Sequence, residues 1–392
     1  MAAIPIYDET QNFYVPAFAV ELRKSKLPES VLRDVTDVTY TDTVSDPKLP
    51  SAGHAPTYLD SFELTINNWD PEARTFKYEG SSNASQRYDG LFAPGMELDL
   101  KMGYGGDLRL MLRGRITAVE PDFTESGGAT LSVRGQNALS RFQTREFTWS
   151  WVGMKDSEIA VELGRNPAAG TDLPGLGMRV VIDPDALAKE TAEAVVMSNT
   201  DPISFLMERA RRRGYVLFLR DDAKGEFLYF GPSHDIHEVT YKLEWGRSLS
   251  SFRPTLSVSK QVETVRVQHW NRKEQRAFSG TARFPKDCSL NEDLVAANAA
   301  LRGGETVIAD WPLRSNAEAE SIAVDQLRRY RRQLMRGSGA TIGLPDLRAG
   351  VRVVIANLGP RYGGSYFVTS TRHTIGANGY RTTFDACREG KA

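Results

Sequence analysis

Residues 94–106 read PGMELDLKMGYGG, and residues 349–364 read AGVRVVIANLGPRYGG. Each stretch opens on a small residue and glycine, alternates apolar positions, and closes on Tyr-Gly-Gly. In the first, Met96, Leu98, Leu100 and Met102 fall on one face while Glu97, Asp99 and Lys101 fall on the other, the period of a half-buried strand. Gly105 and Gly106 permit a tight reversal into LRLMLRGRITAV, because glycine accepts positive φ. In the second, Val351, Val353 and Ile355 form the inward row before SYFVTSTRH. Arg352 then points to the opposite face, so Arg352→Asp is expected to leave the fold intact. The recurrence predicts two versions of one β-unit in a single chain.

The same period extends outward from the first copy. PAFAVELR, LRDVTDVTYTDTV and SFELTIN are short, rich in β-branched or aromatic residues, and separated by turn formers. Phe62, Leu64 and Ile66 alternate with Glu63 and Thr65, and ATLSVRG closes the set near residue 135. Five or six antiparallel strands over such a span indicate a small barrel or sandwich.

The middle of the chain changes period. Asp156 is placed to cap a short helix carrying Ile159, Ala160 and Leu163, with Gly164 just past its end. In DPISFLMERARRRG, Asp201 is an N-cap, Pro202 suits the first helical position, and Ile203, Leu206, Met207 and Ala210 make a helical stripe. Gly214 ends it, and YVLFLR–DDAKGE–FLYF reads as strand–turn–strand. The last third returns to strands in TLSVS, ETVRVQHW and RAFSGTARF. One helix interrupts it at about 316–336, where Ser315 and Glu318 have capping-box spacing and Gly337 and Gly339 end it. The fold class is therefore α+β, mainly β: two similar antiparallel β-barrel domains with an inserted α+β module. The expected units are 1–145, 146–250 and 251–392.

Composition excludes little but orders the options. The 392 residues are 41% hydrophobic and 25% charged with a formal net charge of −1, so ample core is available. Nothing global draws the chain to nucleic acid or an anionic membrane. Cys288 and Cys387, without Cys-x-x-Cys spacing, read as reduced thiols. The N-terminus MAAIPIYDETQ lacks secretory-signal character, and no apolar run reaches the roughly 18–20 residues of a membrane span.

A search for chemistry returns no catalytic, cofactor-binding or metal residue. His234 and His237 in HDIH lack a His-Glu-x-x-His frame and a third ligand. His54, His269 and His373 are isolated in sequence. There is no Gly-x-Ser-x-Gly elbow, Walker loop or dinucleotide fingerprint. The arginine runs RARRRG and RRYRRQLMR close two helices, where cations complement the dipole and solvate a face. Specific nucleic-acid binding is not expected from them. Trp149, Trp151, Trp245 and Trp270 sit in or beside strands, as core or assembly-interface residues do.

Several stretches together resemble the phage late-control D family, the hubs of contractile-tail baseplates. They are SFELTINNWD, APGMELDLKMGYGG and LMLRGRITAVEPDF, then SNTDPISFLMERARRRGYVLFLR. LEWGRSLSSFRP, VETVRVQHWNRKEQRAFSG and GSYFVTSTRHTIGANGYRTTFDACR follow in the same order. The resemblance spans essentially the whole chain. It implies two tube-type β-barrels per chain and a homotrimer whose six barrels meet a hexameric inner tube on one side and a trimeric spike on the other. It also implies residence in the baseplate of a phage tail or injection particle, after synthesis in the cytoplasm, among other baseplate proteins. The spike-fused relatives continue into an oligosaccharide-binding-type barrel and a β-helix. This sequence stops at Ala392 without them, so a separate spike protein is expected. The competing expectation is a cell-wall hydrolase with its carboxylates in residues 146–250.

Overall fold

The computed structural model describes residues 4–5, 13–44, 59–79, 88, 90–123, 128–143, 145–167, 172–190, 192–222, 224–233, 239–259, 261–272, 274–289, 291–296, 304–309, 311, 313 and 315–390. Six strands form the first barrel: Pro16–Leu22, Val35–Thr43, Ser61–Asn67, Glu97–Tyr104, Asp107–Asp122 and Thr130–Asn137. Six more form the second: Val239–Glu244, Leu249–Leu256, Met335–Ile342, Arg352–Ala356, Gly364–Gly376 and Gly379–Gly390. Numbered within each set, the strands neighbour one another in the order 1-4-5-6-3-2 in both. One direction differs, since strands 1 and 4 are antiparallel in the first set and parallel in the second. The expected class, mainly β with two similar barrels and an inserted module, is the observed one.

The repeated stretch occupies the same place in each barrel, and its opening end repeats bond for bond. Gly95 (φ +89°) and Gly350 (φ +83°) both lie in the left-handed region that disfavours a side chain. Gly95 N–H donates to Ile116 O at 2.7 Å and Ile116 N–H returns to Met96 O at 2.9 Å. Gly350 N–H donates to Val368 O at 2.8 Å and Val368 N–H returns to Val351 O at 2.9 Å. One residue on, each partner strand bulges, at Thr117 and at Thr369. The two threonine hydroxyls donate across the sheet, to Arg134 O at 3.3 Å and Asp385 O at 3.1 Å.

The closing end does not repeat. Gly105 (φ +54°) turns the first copy straight into Asp107–Asp122. In the second copy Asn357 (φ +65°) breaks the strand, and Gly359–Tyr362 form a helical turn before Gly364. The shared Tyr-Gly-Gly is thus coincidence of letters, whereas the shared opening glycine is geometry.

Each inward row is buried. Leu98, Leu100 and Met102 join Phe62, Leu64 and Ile66 in one core, and Val351, Val353 and Ile355 join another with Tyr366 and Val368. The opposite face of Arg352–Ala356 is covered as well, contrary to expectation. Arg352 donates to Glu389 at 2.7 Å and to Ser233 O at 3.3 Å. Gly337 and Gly339 also correct the sequence reading. The helix ends at Arg332, and both glycines lie inside the strand Met335–Ile342. A Cβ there would come within 2.2 Å of the Phe252 ring and 2.5 Å of the Phe384 ring, so glycine makes room for core aromatics.

The module between the barrels has its own core. The helix Asp156–Arg165 and the helix Pro202–Arg213 pack on the sheet of Arg179–Ile182, Gly225–Gly231 and Val216–Asp222 and on the ribbon of Phe147–Met154 with Glu193–Thr200. Asp201 caps the second helix as expected, accepting from Ile203 N–H at 3.1 Å and Ser204 N–H at 2.9 Å, and Gly214 closes it in the left-handed conformation. The first helix departs from expectation. Its N-cap is Lys155, and Gly164 lies inside the last turn, where a Cβ would strike Val180. In the last third, the helix Asn316–Arg332 covers the sheet Thr264–Asn271, Arg276–Arg283 and Glu305–Ile308 so closely that only glycine fits at 280. The strand expected at TLSVS lies earlier, at Leu249–Leu256.

Candidate assembly surface

The two barrels are joined by strand pairing. The first half of Gly364–Gly376 pairs with Arg352–Ala356, and its second half pairs with Val35–Thr43 of the first barrel, Ser370 opposite Thr43 and Thr374 opposite Thr39. One sheet therefore runs through both barrels across eight strands, from Leu249–Leu256 to Asp107–Asp122. The pleat sends alternate residues outward along all eight. Arg253 and Thr255, Ser338, Thr383 and Asp385, Ser370 and Arg372, Thr39 and Thr41, Glu63, Arg134 and Glu120 share that outer face. Its charges are partly matched within the face. Arg134 bridges Glu63 at 3.0 Å and Glu120 at 3.1 Å, while Asp385 accepts from Ser338 at 2.5 Å and Ser370 at 3.0 Å. Such a face resists casual sheet stacking and presents hydroxyls and paired ions to water.

Beneath the joint lies a buried polar cluster that sequence reading missed. Arg348 donates to Asp42 at 2.7 Å, to the Tyr40 hydroxyl, and to Met111 O at 3.0 Å, so one side chain of the second barrel holds two strands of the first. Asp42 also accepts from Thr371 and from Ala349 N–H at 3.1 Å. His373, isolated in sequence, is fully buried beside them, with Nδ1 3.0 Å from the Tyr380 hydroxyl and Nε2 3.1 Å from Leu347 O. Asp60 accepts from Asn137 at 3.1 Å. Burial raises the Asp42 carboxyl, but Arg348 and then His373 outweigh it and hold the pKa below the ordinary range. Burial, reinforced by the Asp42 charge, pushes Asp60 up to about 7. Burial drives His373 down to about 4. The only signal available in sequence was inward parity: Tyr40 and Asp42, like His373, sit in phase with core residues.

These shifts set opposed pH dependences. Folded Asp60 keeps a proton that the unfolded chain gives up above its ordinary 3.8, so stability falls as pH rises from there to about 7. Folded His373 refuses a proton that the unfolded chain takes below 6.5, so stability falls as pH drops from 6.5 to about 4. Asp60→Asn removes the first dependence and leaves the second. Its melting temperature is expected to climb between pH 4 and 6.5 more steeply than that of the parent. A parallel pair of curves would contradict the assignment.

Most arginines of the two runs are buried rather than solvating a face, although Arg211 is exposed. Arg209 and Arg213 clamp the buried Asp156 at 2.5 and 2.7 Å. Arg212 reaches Glu318 of the later helix at 3.1 Å, which diverts that glutamate from the expected capping box. Arg332 bridges Glu389 at 3.0 Å and donates to Gly214 O at 3.2 Å, while Gln326 donates to Arg211 O and Arg212 O. The later helix thereby satisfies the terminal carbonyls of the earlier one. Arg331 is fully buried, donates to Val262 O at 2.7 Å and lies 4.1 Å over the Phe284 ring. Of these cations, Arg212 and Arg332 fasten the module to the last third of the chain.

Carboxylates in the module were the expected seat of any hydrolase. Asp156 and Glu190 are buried neighbours whose environments push their pKa values apart. Burial raises Glu190, whereas Arg209 and Arg213 outweigh burial at Asp156 and lower it. Such divergence marks acid–base pairs in some enzymes. Here Glu190 is fully engaged by Ser157 (2.9 Å from N–H) and the Tyr215 hydroxyl (3.0 Å), and neither acid lines the clefts found among the described residues. A cleft of about 230 Å³ does open beside Glu21, Asp99, Arg113, Arg115, Arg141 and Glu226, with both charge signs and no nucleophile–base pair. Among the described residues no group of three or more histidine, cysteine or acidic side chains is set to hold a metal, and no helix is long and apolar enough to cross a membrane. His54, His234 and His237 lie outside the described residues. Of the tryptophans, Trp151 is buried, while Trp245 and Trp270 are about half exposed.

Solved structures of similar fold include tail proteins. A 43 kDa tail protein of prophage MuSo2 from Shewanella oneidensis matches 95% of this chain and 98% of its own, at 12% identity and a TM-score of 0.65. A tail protein from Neisseria meningitidis matches 96% and 97%, at 14% identity and a TM-score of 0.64. An E. coli component of the type VI secretion system, described as structurally similar to T4 bacteriophage tail proteins gp27 and gp5, matches 95% and 77%, at 12% identity and a TM-score of 0.55. No curated protein matches by sequence. At these identities the likeness is one of fold. The family model described as the Alg8 N-terminal domain matches residues 61–377, and the chain belongs to that family.

Proposed function

We propose that this chain is a structural baseplate component of a phage tail or contractile injection system, the hub that joins a hexameric inner tube to a trimeric spike. The observation that carries the reading is the duplicated barrel with its through-running sheet. A chain with two equivalent barrels, present in three copies, offers six similar faces to a six-fold tube and three to a spike. The polar outer face of that sheet suits the wall of a water-filled axial channel. The late-control D resemblance and the fold shared with tail proteins and with a VgrG complex from Francisella support the same reading. Within it, the units are a first barrel over 1–145, a module from 146, and a second barrel. We place the start of the second barrel ahead of Val239, because Val239–Glu244 pairs with Arg352–Ala356. The work of the protein is geometric, and no residue is assigned a catalytic role.

The test is stoichiometry in purified particles. Quantitative mass spectrometry is expected to give three copies of this chain for each six-subunit ring of tube protein. Six copies would remove the need for a duplicated chain and overturn the proposal. The hydrolase reading predicts release of peptidoglycan fragments by the purified chain, lost in Glu190→Gln; no release is expected.

A further inference from the structure

The hairpin that follows Pro16–Leu22 turns through residues that a tight turn disfavours. Leu22 lies opposite Ser25, so Arg23 and Lys24 form a two-residue loop, and both adopt positive φ, 48° and 68°. A loop of this length takes Asn and Gly most readily, because a Cβ crowds the backbone in the left-handed region. Both cations are exposed, and among the described residues neither side chain forms a hydrogen bond or an ion pair. No contact inside the chain accounts for their place in the turn.

The turn stands between two clefts. The cleft of about 230 Å³ at the seam of the first barrel and the inserted module is lined by Arg23, Lys24 and Arg115. A groove of about 380 Å³ is lined by Arg23 and Lys26 together with Leu22, Leu27, Leu91 and Met96. Arg23 borders both. Of the acids in the first cleft, Lys101 holds Glu21 at 2.6 Å and Arg113 holds Asp99 at 3.9 Å. Arg115 and Lys26 are exposed and, among the described residues, pair with no carboxylate. Arg23, Lys24, Lys26 and Arg115 thus present unpaired positive charge beside an apolar groove.

We propose that the Arg23–Lys24 turn, with the cleft and the groove beside it, is a docking site for an acidic segment of another protein that carries an apolar anchor residue. Carboxylates of the segment meet Arg23, Lys24 and Arg115, and its apolar side chain enters the groove against Leu27 and Leu91. Charge and shape favour a peptide over nucleic acid. Glu97 and Glu226 line the charged cleft without a cation partner among the described residues, and they repel a continuous run of phosphates. A peptide can place its carboxylates singly. The groove offers apolar area to a leucine or phenylalanine side chain and nothing to a phosphate backbone. Strain held in an exposed turn then has its cause in what the turn binds. Binding of this kind is a property of the single chain and is independent of its copy number in a particle.

The experiment is fluorescence anisotropy on the purified full chain, with a labelled peptide of alternating glutamate and leucine as the probe. The controls are a lysine–leucine peptide and a single-stranded oligonucleotide of equal negative charge. The acidic peptide is expected to bind, and Lys24→Glu or Arg115→Glu to weaken it about tenfold, the value of one lost hydrogen bond between charged groups. Serine in place of leucine in the probe should weaken binding as well. Arg23→Asn combined with Lys24→Gly separates binding from folding: the turn relaxes, so the melting temperature should rise while peptide binding falls. No binding by the parent chain, undiminished binding by these variants, or tighter binding of the oligonucleotide would overturn the proposal. A lower melting temperature of the double variant would do the same, because the turn would then be held by contacts of its own. A dimer of the chain alone that Lys24→Glu abolishes and the peptide does not dissociate would assign the surface to a second copy instead.

Discussion

Arg348→Met lowers the stability of the folded chain by about 3–5 kcal/mol, the cost of leaving one member of a buried ion pair without its partner. Asp42 is 4% exposed, and its charge is held by Arg348 across the joint between the barrels. Removing the guanidinium also takes the donors from Tyr40 and Met111 O. Asp42→Leu combined with Arg348→Met should recover much of the loss, because apolar side chains of similar volume replace buried pairs at little cost. Denaturant midpoints of the parent, the two single variants and the double variant form the test. A single-variant loss below about 1 kcal/mol, the value of an exposed pair, would show that the joint is held by its strand pairing and not by this cluster.

Val353→Asp and Arg352→Asp, adjacent on one strand, are both expected to prevent folding, for different reasons. Val353 is fully buried. Its replacement forfeits roughly 1.5–3 kcal/mol of apolar burial and adds several more for an unpaired carboxylate. A domain has only about 5–15 kcal/mol in all. Arg352→Asp instead sets a carboxylate beside Glu389, whose side chain is 0% exposed and already shared with Arg332 and Ser233. Soluble yield and thermal melting of the two variants are the measurements. A stable Arg352→Asp protein would mean that Glu389 faces water and that the strand is covered on one side only.

That strand illustrates how far the sequence could be read. The inward row of Val351, Val353 and Ile355 follows from period-2 alternation, which depends on the strand alone. Whether the other face meets water depends on what packs there, and the covering residues, Ser233 and Glu389, are distant in sequence. Helix Pro202–Arg213 was legible to its caps because Asp201, Pro202 and Gly214 act locally. Its arginines were misread for the complementary reason: their partners, Asp156 and Glu318, come from other elements. Gly337 and Gly339 read in the sequence as helix stops because glycine carries no label for a close ring as against a turn. The candidate surface was legible only as a repeated phrase. Its strand order, its bulges at Thr117 and Thr369, and the Asp42–Arg348 joint are products of tertiary pairing.

A hub must lie on the particle axis in three copies. Electron cryomicroscopy of the intact particle tests that directly. The expected density has three copies around the particle axis, with the Ser/Thr-rich sheet face turned to the channel. Six copies, a position away from the axis, or a channel lined by another face of the barrels would contradict it.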